Sequence, residues 1–164
     1  MRRIVLDTNC LLMSIPKRSP YRMVWDAFLS GQFILCVTNE ILEEYHEIIA
    51  QKTNSTIANN VVSTILNQFN TELITPYYHF ELIQADKDDN KFVDCAIVAG
   101  AEYIVTNDLH FNILNQISFP KVNIIQLKTF SYLLNRYDIE DENQRVINEG
   151  NIEYISLPTS QNND

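Results

Sequence analysis

The sequence predicts a three-layer α/β/α fold around a central parallel sheet, and three observations carry that prediction. First, the continuous apolar runs Ile4-Val5-Leu6, Phe33-Ile34-Leu35-Cys36-Val37 and Tyr103-Ile104-Val105 read as short strands buried on both faces. Second, segments with helical periodicity separate them, as a parallel, doubly wound sheet requires. Third, the first and last of these runs deliver acids, Asp7 and Asp108, to their carboxyl ends. That edge is where open parallel sheets bind ligands.

The elements follow in chain order. Ile4-Val5-Leu6 ends at Asp7-Thr8-Asn9, and a helix is expected from Ser19-Pro20 through Trp25 and Phe28 to Gly31, with serine as cap and proline in the first turn. After the second strand, Thr38 caps a helix whose apolar face is Ile41, Leu42, Tyr45, Ile48 and Ile49. Residues 55–70 read as a further helix with Ile57, Val61, Ile65 and Phe69 at fourfold spacing, broken at Asn70-Thr71. A short strand around Leu73-Ile74 leads into a loop with Pro76, Tyr77, Tyr78 and His79. The next helix buries Phe92, Val93, Ala96, Ile97, Ala99 and Gly100. Leu109 to Asn115 form one short helix, Val122 to Leu127 the last strand, and Thr129 to Asn135 the last helix.

At 164 residues the chain has room for one domain, set here at residues 1–137. Residues 138–164 are polar and carry seven acids against one arginine, a balance of −6 out of the chain's −9. They read as a flexible or partner-binding tail, with Ile152 to Leu157 as an optional edge strand. Apolar runs stay far short of a membrane span, and Met1-Arg2-Arg3 leads directly into the first strand without a signal-peptide core, so a cytoplasmic location is expected. Cys10, Cys36 and Cys95 are odd in number, widely spaced and set among apolar residues, which predicts buried free thiols rather than disulfides or a zinc site.

Helical arithmetic separates the acids. On the third helix Glu44 lies roughly 100° from the centre of the apolar face, on its flank, whereas Glu43 lies roughly 160° away and faces water. Asp89 falls at the start of the helix over residues 90–100, in line with its buried face, while Asp94 lies roughly 140° away and is expected in solvent. Asp89 in that position reads equally as a helix N-cap or as an inward-facing ligand.

Asp7, Glu44, Asp89 and Asp108 thus stand where this fold concentrates ligands. Carboxylates gathered in one cleft repel unless a cation compensates, and oxygen donors without thiolate or histidine support select Mg²⁺ or Mn²⁺, as one or two ions. Such ions bind through a few carboxylates plus substrate phosphates, so the implied substrate is a phosphate ester. Asn9 and Thr106 offer short polar side chains to orient the carboxylates. The body's bases clump as Lys17, Arg18 and Arg22, with Lys87 and Lys91 beside the acids. Lys17, Arg18 and Lys91 are the candidate substrate contacts.

Asp7-Thr8-Asn9, the Asn39-Glu40-Ile41-Leu42-Glu43-Glu44-Tyr45 stretch, Asp88-Asp89-Asn90-Lys91-Phe92 with Cys95-Ala96 and Ala99-Gly100-Ala101, and Ile104-Val105-Thr106-Asn107-Asp108 together resemble the PIN-domain ribonuclease family. The similarity is closest to its toxin-antitoxin branch and spans residues 2–135. It implies that Asp7, Glu44, Asp89 and Asp108 form the metal-binding catalytic set, accompanied by Asn9 and Thr106. It also implies Mg²⁺- or Mn²⁺-dependent cleavage of single-stranded RNA, a homodimer, and a cognate antitoxin protein that occupies the cleft. Asn107 departs from the glycine common before the last acid, and the acidic tail lies outside the resemblance.

Rival chemistries lack their residues. A haloacid-dehalogenase-type phosphotransferase needs a second acid two residues after the first, where this chain has Asn9. A receiver domain needs paired acids before its phospho-acceptor strand, and a serine or cysteine hydrolase needs a nucleophile elbow. His46, His79 and His110 read as surface or boundary residues, with His110 nearest to a substrate contact. The alternative from another class is a non-catalytic PIN-like module that grips RNA or protein, against which four uncompensated carboxylates argue.

Overall fold

Ile4, Val5 and Leu6 are buried because their strand, β1 (Arg2–Leu6), is paired on both sides at the centre of the sheet. A computed structural model describes residues 1–136. In it, β2 (Phe33–Val37), β3 (Thr71–Leu73), β4 (Tyr103–Val105) and β5 (Ile124–Ile125) join β1 in a wholly parallel sheet of order β3-β2-β1-β4-β5. Leu6 pairs with Val105, and the Asp7 amide donates to the Val105 carbonyl at 3.0 Å. The strand order reverses at β1, where connections leave in both directions, so the carboxyl ends of β1 and β4 form the switch point at which parallel sheets bind ligands.

The helices are α1 (Thr8–Ser14), α2 (Arg22–Leu29), α3 (Asn39–Lys52), α4 (Ser55–Asn67), α5 (Asn90–Ala99) and α6 (127–136), with a 3₁₀ segment at Leu109–Gln116. They cover both faces of the sheet. A chain of aromatic rings, Trp25 to Phe28 at 5.5 Å, Phe28 to Phe33 at 6.0 Å and Phe33 to Phe130 at 5.4 Å, ties α2 and α6 to β2. The alternation of a strand sends Cys36 to the opposite side. The helix α5 packs across β1, β2 and β4, and α3 packs on α4, α1 and α5. Cys10, Cys36 and Cys95 are all free and buried, and burial raises each thiol's pKa, that of Cys36 to about 11 and that of Cys10 to about 12. They are core atoms rather than reactive thiolates. No helix among the described residues is long and apolar enough to cross a membrane.

Local chemistry explains the boundaries. Thr38 and Asn54 accept the Ile41 and Ile57 amides and start α3 and α4. Gly100 closes α5 with φ +60°, a left-handed conformation that glycine adopts without strain. Buried Asn70 donates to the carbonyls of Phe28 and Phe33 at 2.9 and 2.7 Å, bracing the α2–β2 turn.

Several expectations are corrected. The chain after Asp7 is helical at once, and α1 was not expected because seven residues give too few turns for a periodic signal. The helix expected from Ser19 begins at Arg22, since the Ser19 hydroxyl instead accepts the Tyr21 amide in a turn. The helix over 55–70 stops at Asn67, leaving Phe69 exposed against Gly31. The last strand shrinks to Ile124–Ile125, because Asn107 Oδ1 accepts the Leu127 amide at 3.1 Å and starts α6 there. Asp94 does not face solvent: it is 2% exposed, accepting the Phe80 amide at 2.9 Å and meeting His79 Nδ1 at 2.9 Å. The long connection between β3 and α5 folds over that side of α5. The expected tail over 138–164, including Ile152 to Leu157, lies outside the described residues.

Candidate metal centre

Asp7, Asp89 and Asp108 each precede the first residue of a helix, Asp7 and Asp108 with extended backbone and Asp89 with helical backbone. An aspartate there normally accepts a backbone amide of the first turn. Asp108 does so, taking the His110 amide on Oδ1 at 2.8 Å. Asp89 makes no such bond. Between the two readings of Asp89, the capping bond is therefore lacking.

Asp7 turns its carboxylate toward β4. Thr106 Oγ1 donates to Asp7 Oδ2 at 2.8 Å, and the same Oγ1 accepts the Asp108 amide at 3.0 Å. Asp7 is 7% exposed. Burial raises its pKa above the ordinary carboxylate value, Thr106 and the Asn9 amide pull it down, and the charges of Asp108 and Glu44 push it up again. Asn9 acts here through its backbone, with its side chain exposed.

Glu44 reaches the same region from α3, as the wheel predicted, with Glu43 in solvent. One Glu44 oxygen accepts from the Thr8 hydroxyl and the other pairs with the Lys91 ammonium. Lys91 also meets Asp88 at 2.6 Å, and its side chain is only 10% exposed. Burial pulls the Lys91 pKa down, but Asp88 and Glu44 more than offset this and the net shift is upward. Lys91 is thus an internal counter-ion to Glu44. Lys17 and Arg18 are exposed in the turn after α1. Tyr45, one residue beyond Glu44, donates its hydroxyl to the Leu6 carbonyl and locks α3 against the end of β1.

Asp89 is the least compensated group. Its Oδ2 is buried without a hydrogen-bond partner. Burial raises its pKa to about 6, reinforced by Asp86, Asp108 and Asp7 and opposed by His110. The four expected carboxylates therefore share one electrostatic neighbourhood. The tightest grouping differs from the expected set: Asp86, Asp89 and His110 each place a potential ligand atom within 4.8 Å of the others. Asn90 fixes this grouping by accepting the Ile83 amide at 2.9 Å and donating to the carbonyls of Ile83 and Lys87 at 2.8 and 3.1 Å. Sequence reasoning missed Asp86 and His110 as partners. Their only signal was proximity, Asp86 opening the acid run and His110 following Asp108 by two residues.

An orphaned buried carboxylate oxygen among like charges fits a divalent cation, and the oxygen-rich donor set suits a hard one. A family model described as a PIN domain matches residues 3–110. Among solved structures, the chain resembles "VapBC2 from Rickettsia felis bound to a DNA fragment from their promoter", at 17% identity and TM-score 0.54 over 76% of this chain and 98% of that one. It also resembles "DNA bound VapBC from Salmonella typhimurium", at 20% identity and TM-score 0.54 over 77% and 99%. A search of curated proteins returned no match.

Proposed function

The chain belongs to the PIN domain family, and from that premise we propose that it is a divalent-metal-dependent endoribonuclease that cleaves single-stranded RNA and serves as the toxin of a toxin-antitoxin pair. The observation that carries this reading is Asp89 Oδ2, buried without a hydrogen-bond partner in the field of Asp7, Asp86 and Asp108. The cost of burying such a group is recovered when a cation binds.

Asp7, Asp89 and Asp108 would hold Mg²⁺ or Mn²⁺, with Glu44 reached through bound water or after release from Lys91. A divalent ion bound there would supply a water of lowered pKa and offset the charge that develops on the phosphate. Thr106 holds Asp7 in one rotamer and Asp108 in one backbone geometry. Lys17 and Arg18 attract the phosphate backbone, while Lys91 keeps Glu44 from adding a further uncompensated charge. The likeness to the two VapBC structures supports a cognate antitoxin as partner. The family resemblance supports a homodimer and a cytoplasmic setting.

The test incubates the purified protein with single-stranded RNA in Mn²⁺ or EDTA, alongside Asp89→Asn. Cleavage by the wild type in Mn²⁺, abolished by EDTA and reduced at least about a hundredfold in the variant, is expected. Metal-independent RNA binding with no cleavage by either protein overturns the reading in favour of a binding module.

A further inference from the structure

His110 lies outside the four-acid set. Its Nδ1 is 3.6 Å from Asp89 Oδ2 and 3.5 Å from Asp108 Oδ1. The first distance is too long for a good hydrogen bond, and Asp89 Oδ2 is without one. Two donors bound side by side to a cation at about 2.1 Å stand about 3 Å apart, and two bound opposite each other about 4 Å apart. Both separations fall inside that window. Asp86 adds a third donor, its ligand atom within 4.8 Å of the other two. Its Oδ1 also accepts the Asp88 amide at 3.0 Å, which orients the carboxylate. Asp108 captures the His110 amide, which fixes the backbone from which the imidazole projects. The other two histidines are engaged elsewhere, His46 with Asn59 and His79 with Asp94.

We infer that His110 is a direct ligand of the divalent cation, together with Asp89 and Asp86, and that its nitrogen makes this centre prefer Mn²⁺ to Mg²⁺. The inference rests on the metal-dependent reading above and adds two ligands and a selectivity to it. An imidazole nitrogen is a softer donor than a carboxylate oxygen, so it favours a transition-metal ion over Mg²⁺. Asp86 contributes charge and supports both ions alike.

The test titrates Mn²⁺ into the full chain at pH 7.5, following the loss of the free-ion signal by electron paramagnetic resonance, with Mg²⁺ measured by competition. Spin-echo modulation at ¹⁴N then reports whether an imidazole nitrogen touches bound Mn²⁺. The wild type is expected to show ¹⁴N modulation, which His110→Ala removes. His110→Ala should lose about tenfold in Mn²⁺ affinity and less than about twofold in Mg²⁺ affinity. Asp86→Asn should weaken both ions and keep the ¹⁴N signal. His110 is half exposed, so its removal leaves the core intact, and His110→Gln provides a second variant of similar size. Bound Mn²⁺ without ¹⁴N modulation in the wild type, or unchanged Mn²⁺ affinity in both His110 variants, overturns the inference while leaving the nuclease reading standing. Failure of the wild type to bind either ion overturns both.

Discussion

Thr106 Oγ1 donates to Asp7 Oδ2 at 2.8 Å and simultaneously accepts the Asp108 amide, so one buried hydroxyl aligns the acids that end β1 and β4. Thr106→Val preserves shape and removes both bonds. Asp7 then loses the hydrogen bond that most opposes its burial, so its pKa rises further. The variant should lose about 1–2 kcal/mol of stability and about tenfold in metal-dependent cleavage. Chemical denaturation and single-turnover kinetics measure the two separately; full activity in the variant would refute the alignment role.

Asp89→Asn should do the opposite to stability. The folded pKa of Asp89 stands near 6, above its unfolded value of 3.8, so its favourable contribution is complete below about pH 4 and disappears as pH rises through about 6. At pH 7 the ionised carboxylate is a liability, which we place at about 1–2 kcal/mol after discounting for partial exposure. In EDTA at pH 7 the variant should therefore melt a few degrees higher than wild type, and at pH 4 the two should coincide. Adding Mn²⁺ should raise the wild-type melting temperature at pH 7 and leave the variant nearly unmoved. Equal melting curves at pH 7 in EDTA would show that the buried oxygen carries no strain of this kind.

Lys91→Met tests whether Glu44 is held by a counter-ion. Glu44 and Lys91 are 22% and 10% exposed at the side chain, so the lost pair should cost about 1–2 kcal/mol, less than a fully buried one. The same substitution removes a positive charge from beside the carboxylates, so divalent-cation affinity should rise several-fold, and saturating Mn²⁺ should recover much of the lost stability. Calorimetric titration checks the affinity. A fall in cation affinity would mean that Lys91 positions the ligands rather than competing with the ion.

What the sequence made legible follows from how local each signal is. The strands were readable because burial on both faces leaves continuous apolar runs, and Glu44 separated from Glu43 because α3 has a single buried face along 14 residues. Asp94 was misplaced because its burial comes from the loop carrying His79 and Phe80, a contact that no helical wheel contains. The start of α6 was missed for the same reason, its first amide being taken by Asn107 from 20 residues away. The grouping of Asp86 with His110 likewise depends on how the loop before α5 meets the 3₁₀ segment after β4. The acids at strand and helix ends were visible, and so was Thr106 as a side chain that orients a carboxylate; the Lys91 counter-ion and the histidine required the fold.

Asp94 leads to the last prediction. Its Oδ1 accepts the Phe80 amide and its Oδ2 pairs with His79, anchoring the middle of the connection whose far end presents Asp86 and Asp89. Asp94→Ala leaves the Phe80 amide without its acceptor and should cost about 1–3 kcal/mol, with faster hydrogen exchange across residues 74–89. Asp94→Asn retains an acceptor for that amide and discards the charge. Asp94 raises the His79 pKa above 6.5, first through the hydrogen bond and then through charge. The stabilisation from this pair is complete below pH 6.5 and is lost as pH climbs through the raised value, so wild type should weaken slightly across that interval while Asp94→Asn stays flat. Because α5 and the loop share this anchor, Asp94→Ala should also weaken Mn²⁺ binding, although Asp94 is no ligand in the proposed set. Unchanged exchange rates in residues 74–89 would show that Asn90 alone suffices to hold the connection.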